Sequence, residues 1–511
     1  MTRKKKTAIV FLILLGVALL PLLFLKVWGA YRLGQVNAQQ TAQGTLISQE
    51  LQERKKTPPE GKNLFEQPLW LNYLKEITGG GNYMVADSLS ASNALSRWCA
   101  EQSRKRAYYQ SFQPQAEPEL EPQVGYLRPG YLGSTQRELL PTFETLQKGL
   151  KRVYDKAVPS DLRPMVEKYQ AREDLSDEEK VLGVFREYFQ SEKPAVEEEI
   201  KKSLAESSFF GISEEIYTKL GVSEEEYFHS PLNPSASLKT LAFHYGQTAR
   251  LHAYSGQREK TLEELKTLLD LASLKGFNST PLEGMYRCAL RILSANTVHA
   301  IILEDVLNEE DLLSIQTRFS QINVMEDLLK TLEGWESICE IIFRYNLGLI
   351  SEESFWPRFI VKLAHFSGYI DLNKAAILDL LRGARAAIDT EGQTLDYAAW
   401  KKAVDLPKSI FNILARPMIP GDGKASNAFL RAQSYRDAVI LGCALERYRM
   451  KEGSFPEKLE ALIPEYLPQM PPGTLSQGSL SYTRTEKGYE LILNKLPELP
   501  KEDNMETIWR R

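Results

Sequence analysis

Histidine and cysteine are scarce in this chain. Five histidines and four cysteines stand among 511 residues. Cys99, Cys288, Cys339 and Cys443 contain no CxxC pair and no two at zinc spacing, so neither a zinc module nor a disulfide-dense scaffold fits. Two readings are left: four buried thiols, or one structural disulfide, which would require an oxidising compartment. His229, His244, His252, His299 and His365 form no HExxH. His244 and His252 fall on one expected helix but about 80° apart around its axis, so they do not converge on one ion. No metal is expected. GxSxG, Walker and dinucleotide-binding glycine patterns are also missing, and "TGGGN" at Thr78 to Asn82 lacks both a preceding strand and a following lysine. No cofactor is expected. Nor is there an excess of positive charge. The net charge of −4 excludes a general nucleic-acid binder, and the short run Arg104-Lys105-Arg106 is balanced by Glu101.

What is present begins at the N-terminus. Arg3, Lys4, Lys5 and Lys6 precede a stretch from Ala8 to Leu25 that carries no charge. As a helix it covers about 27 Å, close to the hydrocarbon width of a bilayer. Trp28 and Tyr31 suit the interfacial belt that follows. A cleaved signal peptide is the competing reading. However, its apolar region is shorter as a rule, and here bulky Trp28 stands where a cleavage site needs a small residue. The four basic residues ahead of the run outweigh Lys26 and Arg32 behind it, which puts Met1 in the cytoplasm and the bulk of the chain outside. The expectation is a single-pass protein of a bacterial inner membrane, with the membrane itself as one partner.

The exterior chain reads as mainly α. Residues 1–35 form the cytoplasmic tip and transmembrane anchor, and 36–112 a polar stalk with a helical segment. Residues 113–135 hold Pro114, Pro118, Pro122 and Pro129, a density that excludes helix and marks a linker or long loop. Residues 136–415 form an irregular helical array. Ser176 with Glu178 and Glu179, and Asn308 with the acids after it, read as helix starts. Leu238, Leu241, Tyr245, Thr248 and His252 share one face of a helix. Gly256 turns the chain, a second helix carries Leu262, Leu265, Leu268, Leu269 and Leu271, and Gly276 ends it. No fixed period recurs, so this is not a true repeat. Residues 426–495 read as an α+β unit and 496–511 as a tail.

One row of acids is a candidate for chemistry. Glu333, Glu336 and Glu340 stand three and four apart in "TLEGWESICEIIFRY", and Arg344 extends the row. Arg287 and Arg291 are four apart on an earlier helix. If those helices pack together, two guanidinium groups meet three carboxylates. That arrangement reads first as a buried ion network that fixes register, second as a ligand site, and third as a catalytic carboxylate pair.

The closing segment carries a motif. Ser426 or Asn427 can cap a helix from Ala428 to Glu452 with Ala432, Tyr435, Val439, Gly442, Leu445 and Tyr448 on its buried stripe. Gly453 ends it, Pro456 starts a short helix from Glu457 to Leu462, and "LSYTR" and "YELIL" read as an antiparallel hairpin around "TEKG". Such a hairpin needs the helix to lean on, and Tyr482, Leu491 and Leu493 are its candidate contacts. In Ala444-Leu445-Glu446, Tyr448, Gly453, Pro456, Leu459, Leu462, Pro464, Tyr466-Leu467-Pro468 and Tyr482, the segment resembles the C-terminal region of the type II secretion major pseudopilin, general secretion pathway protein G. The resemblance implies a long helix, a short helix and a small sheet in that order. It covers about a sixth of the chain. The pseudopilin processing site is missing from "KKKTAIVFLILL", and "MPPGTLSQGSLSY" has no acid, so no calcium ligands are carried over. The whole layout also resembles bacterial membrane-anchored helical proteins that end in such a unit, a similarity that implies no activity.

The expected function is therefore a membrane-anchored envelope protein with an interaction or scaffold role, a protein partner in the envelope, and an association with a secretion or pilus-like system. The alternatives are a membrane-tethered enzyme using Glu333, Glu336 or Glu340, and a soluble exported protein released by signal cleavage.

Overall fold

The computed structural model of the chain describes residues 25–38, 61–78, 94–111, 162–190, 194–211, 214–221, 235–277, 281–345, 369–405, 424–471, 480–486, 488–493 and 507–511. These are mainly helical, with small sheets. The helices in chain order are α1 (Pro68–Thr78), α2 (Ala94–Ser111), α3 (Leu162–Gln170), α4 (Asp177–Phe189), α5 (Pro194–Glu206), α6 (Glu214–Leu220), α7 (Ser235–Tyr254), α8 (Arg258–Ser273), α9 (Pro281–Ile302), α10 (Glu309–Ser320), α11 (Val324–Tyr345), α12 (Tyr369–Ala386), α13 (Tyr397–Val404) and α14 (Lys424–Glu452). The strands are β1 (Phe209–Gly211), β2 (Lys275–Phe277), β3 (Ile388–Asp389), β4 (Thr394–Leu395), β5 (Leu480–Arg484), β6 (Tyr489–Leu493) and β7 (Thr507–Arg510). The apolar run 8–25 lies outside the described residues except for Leu25, and the proline-rich 113–135 lies outside them entirely. Among the described residues, no helix is long and apolar enough to cross a membrane.

Local chemistry starts the helices where the residue pattern expects. The Ser176 N–H donates to the Glu179 carboxylate at 2.7 Å, and the Glu179 N–H donates back to the Ser176 hydroxyl at 3.3 Å, opening α4. Asn308 and Asp311 make the same reciprocal pair at 3.0 and 2.9 Å before α10. Each pair satisfies two N–H groups that a helix start would otherwise leave open. The α7–α8 hairpin turns at Gly256, whose φ of +67° suits a residue without a side chain. Gly276 does not end α8. It sits in β2, which runs parallel to β1 with Phe210 opposite Gly276.

The chain divides into two compact units. One takes residues up to Pro58 together with 278–282 and 325–427. In it, Val36 from the helical residues 25–38 packs with Ala375 and Leu378 of α12. The pair β3–β4 joins α12 to α13, whose Trp400 is buried. The second unit takes 59–277, 283–324 and 428–511. Its core collects Trp70, Trp98, Tyr188, Phe185, Phe209, Tyr245 and Trp509.

Three expectations need correction. The segment after Ser426 is not set apart, because residues 428–511 share a unit with 59–277 and 283–324. Nor does Ser426 cap α14; the helix starts at Lys424 and Ser426 is buried inside it. Finally, 496–511 is not only a tail. Thr507–Arg510 forms β7, so the expected hairpin is a three-stranded sheet in the order β5-β6-β7, with Leu491 opposite both Tyr482 and Trp509. Burial is the reason, since Trp509 is fully buried and β7 covers β6, whose Tyr489 and Leu491 are buried as well.

The sheet leans on α14 as expected, and it comes close to the helix at Gly442. A Cβ there would stand 2.7 Å from Trp509 Cζ3 and 3.4 Å from the Tyr489 hydroxyl. Tyr482 donates from its hydroxyl to the Pro456 carbonyl at 2.6 Å. Tyr448 is only half-buried, its ring 5.4 Å from that of Tyr466. Val439 and Leu445 are fully buried. The expected short helix is a single 3-10 turn, Leu459–Leu462. The side chain of Leu493 lies outside the described residues. Gly442→Val should therefore push Trp509 off α14 and cost about 1–3 kcal/mol, the usual range for overpacking. Gly34→Ala, where nothing lies within 4 Å, should cost nothing. Chemical denaturation of both variants checks this.

Candidate functional site

The row of acids lies on α11 as expected. Glu333 Oε1 is 3.3 Å from a terminal guanidinium nitrogen of Arg385 on α12, both side chains being mostly buried. Glu336 is buried. Glu340 and Arg344 are in the helix, and their side chains lie outside the described residues. Arg287 and Arg291 are buried on α9, the Arg287 guanidinium 5.9 Å from the centre of the Phe210 ring. The two arginines belong to the second unit and the acids to the first. Arg385, the partner that Glu333 has within its own unit, was not singled out from the sequence. Nothing in "LRGARAAID" separates it from Arg382 beside it.

Two further polar clusters lie in the second unit, each built on buried side chains. In the first, His244 of α7 is 1% exposed. Its Nδ1 lies 3.0 Å from Gln102 Oε1 of α2 and its Nε2 3.5 Å from Glu197 Oε1 of α5. The Trp98 ring meets the imidazole edge-on at 5.0 Å. Lys201 of α5 donates to Glu263 at 2.7 Å and to Glu264 at 3.0 Å, both on α8. Burial raises the Glu264 carboxyl above its ordinary range, and the Lys201 ammonium opposes that rise. Four helices are thus tied by polar side chains that face one another. A histidine beside a carboxylate can in principle move a proton, but this imidazole is closed in by tryptophan, amide and carboxylate.

The second cluster sits where β7 meets the helices. Glu446 of α14 is 2% exposed. It accepts from Arg449 Nε at 2.7 Å and lies 3.1 Å from Arg511 Nε. Both arginines also reach Asp305 Oδ1, Arg449 at 2.6 Å. Arg511 further donates to the Ile302 carbonyl at 2.7 Å. Two carboxylates and two guanidinium groups therefore alternate in one ring. Burial pushes the Glu446 carboxyl up, and the charges of Arg511 and Arg449 pull it back. Next to it, the imidazole of His299 stacks on Trp509 with centroids 4.2 Å apart and planes 14° from parallel. Nearby on α14, Arg436 and Asp437 form a buried pair at 2.6 Å, and Arg436 donates to the Ile322 carbonyl at 2.9 Å. The spacing of Glu446 and Arg449 on one helix could have revealed part of this cluster. No sequence signal joins them to Asp305 or Arg511.

The four cysteines are buried and not joined in disulfides. Burial raises the thiols of Cys99 and Cys443 well above the ordinary range, to about 12 for Cys99, which makes them poor nucleophiles. Among the described residues, no group of three His, Cys, Asp or Glu side chains could hold a metal ion. No protein-family model, no curated protein and no solved structure matches the chain.

His299 gives this cluster a pH signature. Burial, with the charges of Arg250 and Arg511 adding to it, lowers its pKa from 6.5 to about 3. Below pH 6.5 the unfolded chain takes up a proton at this residue that the folded chain refuses. The stability at stake is therefore complete above pH 6.5 and is lost as pH falls toward 3, about 2 kcal/mol of it by pH 5. His299→Phe keeps an aromatic face against Trp509 and removes that slope. Denaturation at pH 7 and pH 5 should show the variant losing about 2 kcal/mol less than the wild type between the two.

Proposed function

We propose that the chain is a membrane-anchored envelope protein of a bacterium with an interaction or scaffold role, its N-terminus in the cytoplasm and its bulk beyond the inner membrane. The observation that carries this is the order of the N-terminal residues: Arg3-Lys4-Lys5-Lys6, then a charge-free apolar run from Ala8 to Leu25. The use of polar groups in the helical region supports a structural role. Glu333 faces Arg385, Glu446 faces Arg449 and Arg511, and His244 faces Gln102 and Glu197. These groups hold helices to each other. The engagement of Glu333 by Arg385 weighs against the alternative in which the α11 acids serve as free catalytic carboxylates.

An association with a secretion or pilus-like system rests on the pseudopilin-like closing segment. Its order of long helix, short turn and small antiparallel sheet, seen in α14, Leu459–Leu462 and β5–β6, is consistent with that resemblance.

The test is topology. In membranes from cells that make the full chain, protease added from the outside should digest the bulk of the protein, and N-terminal sequencing should find Met1 or Thr2. A mature N-terminus near Ala30 would overturn the anchor in favour of a released, signal-cleaved protein. Glu336→Gln separates the structural from the catalytic use of α11. A structural acid predicts a loss of about 3–5 kcal/mol in denaturation, whereas a catalytic one predicts unchanged stability.

A further inference from the structure

The helical residues 25–38 begin where the apolar run ends, and they carry both exposed and buried side chains. Val27 and Tyr31 are 65% and 62% exposed. Other side chains of the same helix are bound to protein. Val36 is 1% exposed and, with Leu33, packs on Ala375 and Leu378 of α12. Arg32 reaches Asp379 of α12 at 3.1 Å, and the other oxygen of Asp379 lies 3.0 Å from Arg382. Gln35 donates to the Tyr31 hydroxyl at 2.6 Å, which fixes that ring beside the Arg32 pair.

Helix rise sets the depths. If Leu25 marks the end of the hydrocarbon, Val27 lies about 3 Å beyond it, Tyr31 about 9 Å and Val36 about 16 Å. The headgroup zone on each side of a bilayer is about 5–8 Å thick, and a tilted helix keeps more of its length inside that zone. Val27 and Tyr31 thus fall in or at the edge of it. An aliphatic residue followed by a tyrosine suits that depth, where a ring can keep its apolar body in the boundary and its hydroxyl toward water. Val36 lies past the zone, where the helix packs on α12.

We propose that the exposed face carrying Val27 and Tyr31 is a lipid contact, covered by the headgroup layer of the bilayer that the preceding apolar run enters. The clamp made by Arg32, Asp379 and Val36 then holds the middle of α12 above the membrane surface, with the helix 25–38 as the direct link between anchor and unit. This rests on the anchor reading of the previous subsection and adds the surface that meets the lipid.

The experiment uses the full chain reconstituted into phosphatidylethanolamine–phosphatidylglycerol vesicles. Val27→Cys, Tyr31→Cys and Ala38→Cys are labelled one at a time with an environment-sensitive fluorophore, the four native cysteines being buried. Nitroxide lipids then report depth, and flotation reports anchoring. The expected result is that the protein floats with the vesicles and that the probes at 27 and 31 are quenched at least about threefold more than the probe at 38. If the protein floats but 27 and 31 are quenched no more than 38, the lipid contact is overturned and the anchor stands. If the protein does not float, the anchor reading falls and this inference falls with it.

Discussion

A charged carboxylate removed from water calls for positive charge beside it, and Glu446 sets that demand in the second unit. It lies on α14 with 2% exposure, where leaving it unpaired would cost several kcal/mol by the usual measure of buried charge (about 3–5). Arg449, one turn along, supplies half of the answer. The other half comes from Arg511, which can arrive only if Thr507–Arg510 is laid down as a strand on β6. That strand carries Trp509 into the core, where it stacks on His299 and needs the missing side chain of Gly442 to come close to α14. One buried acid thus recruits a strand, a tryptophan and a glycine, and Asp305 closes the ring by engaging both arginines.

The same demand explains why α14 defeats a simple reading of its pattern. An amphipathic helix shows an apolar stripe and a polar back. Here Gln433, Ser434, Arg436, Asp437, Glu446 and Arg447 are buried alongside Ala432, Val439 and Leu445. The polar residues are inside because they have partners there. Arg436 is held by Asp437 and the Ile322 carbonyl, and Arg447 by Gln316 at 3.1 Å. Buried ion pairs of this kind add little net stability over apolar packing. Their use is register, since each guanidinium fits one carbonyl or one carboxylate.

What was legible in the sequence follows the range of the interactions. Ser176, Asn308 and Gly256 act on neighbours within a few residues, so their patterns read directly, and so does the face of α7 from Leu238 to Tyr245. The row Glu333, Glu336, Glu340 was visible because helix periodicity makes it so. Its partner was not, because Arg385 reaches Glu333 by folding α12 against α11 within that unit. β7 was the least legible element. "TIWR" is short, follows an acidic stretch and has no turn signal before it, and the reason for its burial lies on α14 and α9. The helix-then-sheet order of the closing segment was readable from Gly453, Pro456 and the hairpin. Its membership in a larger unit was not, because that depends on Gln316 of α10 donating to the Tyr466 carbonyl at 2.8 Å.

Polar groups in this chain are therefore informative by their direction. In the second unit, histidine, glutamate and arginine turn inward to fix helices, and His299 is kept neutral by burial far below its ordinary range. A side chain held that firmly is a poor general acid or base near neutral pH, since its pKa is far from where proton transfer is balanced. At the start of the described chain Val27 and Tyr31 are exposed along with Lys26 and Arg32, in a helix whose Arg32 and Val36 reach α12. The buried charges of the second unit thus serve internal register, since Glu446 is engaged by Arg449 and Arg511 and Arg436 by Asp437.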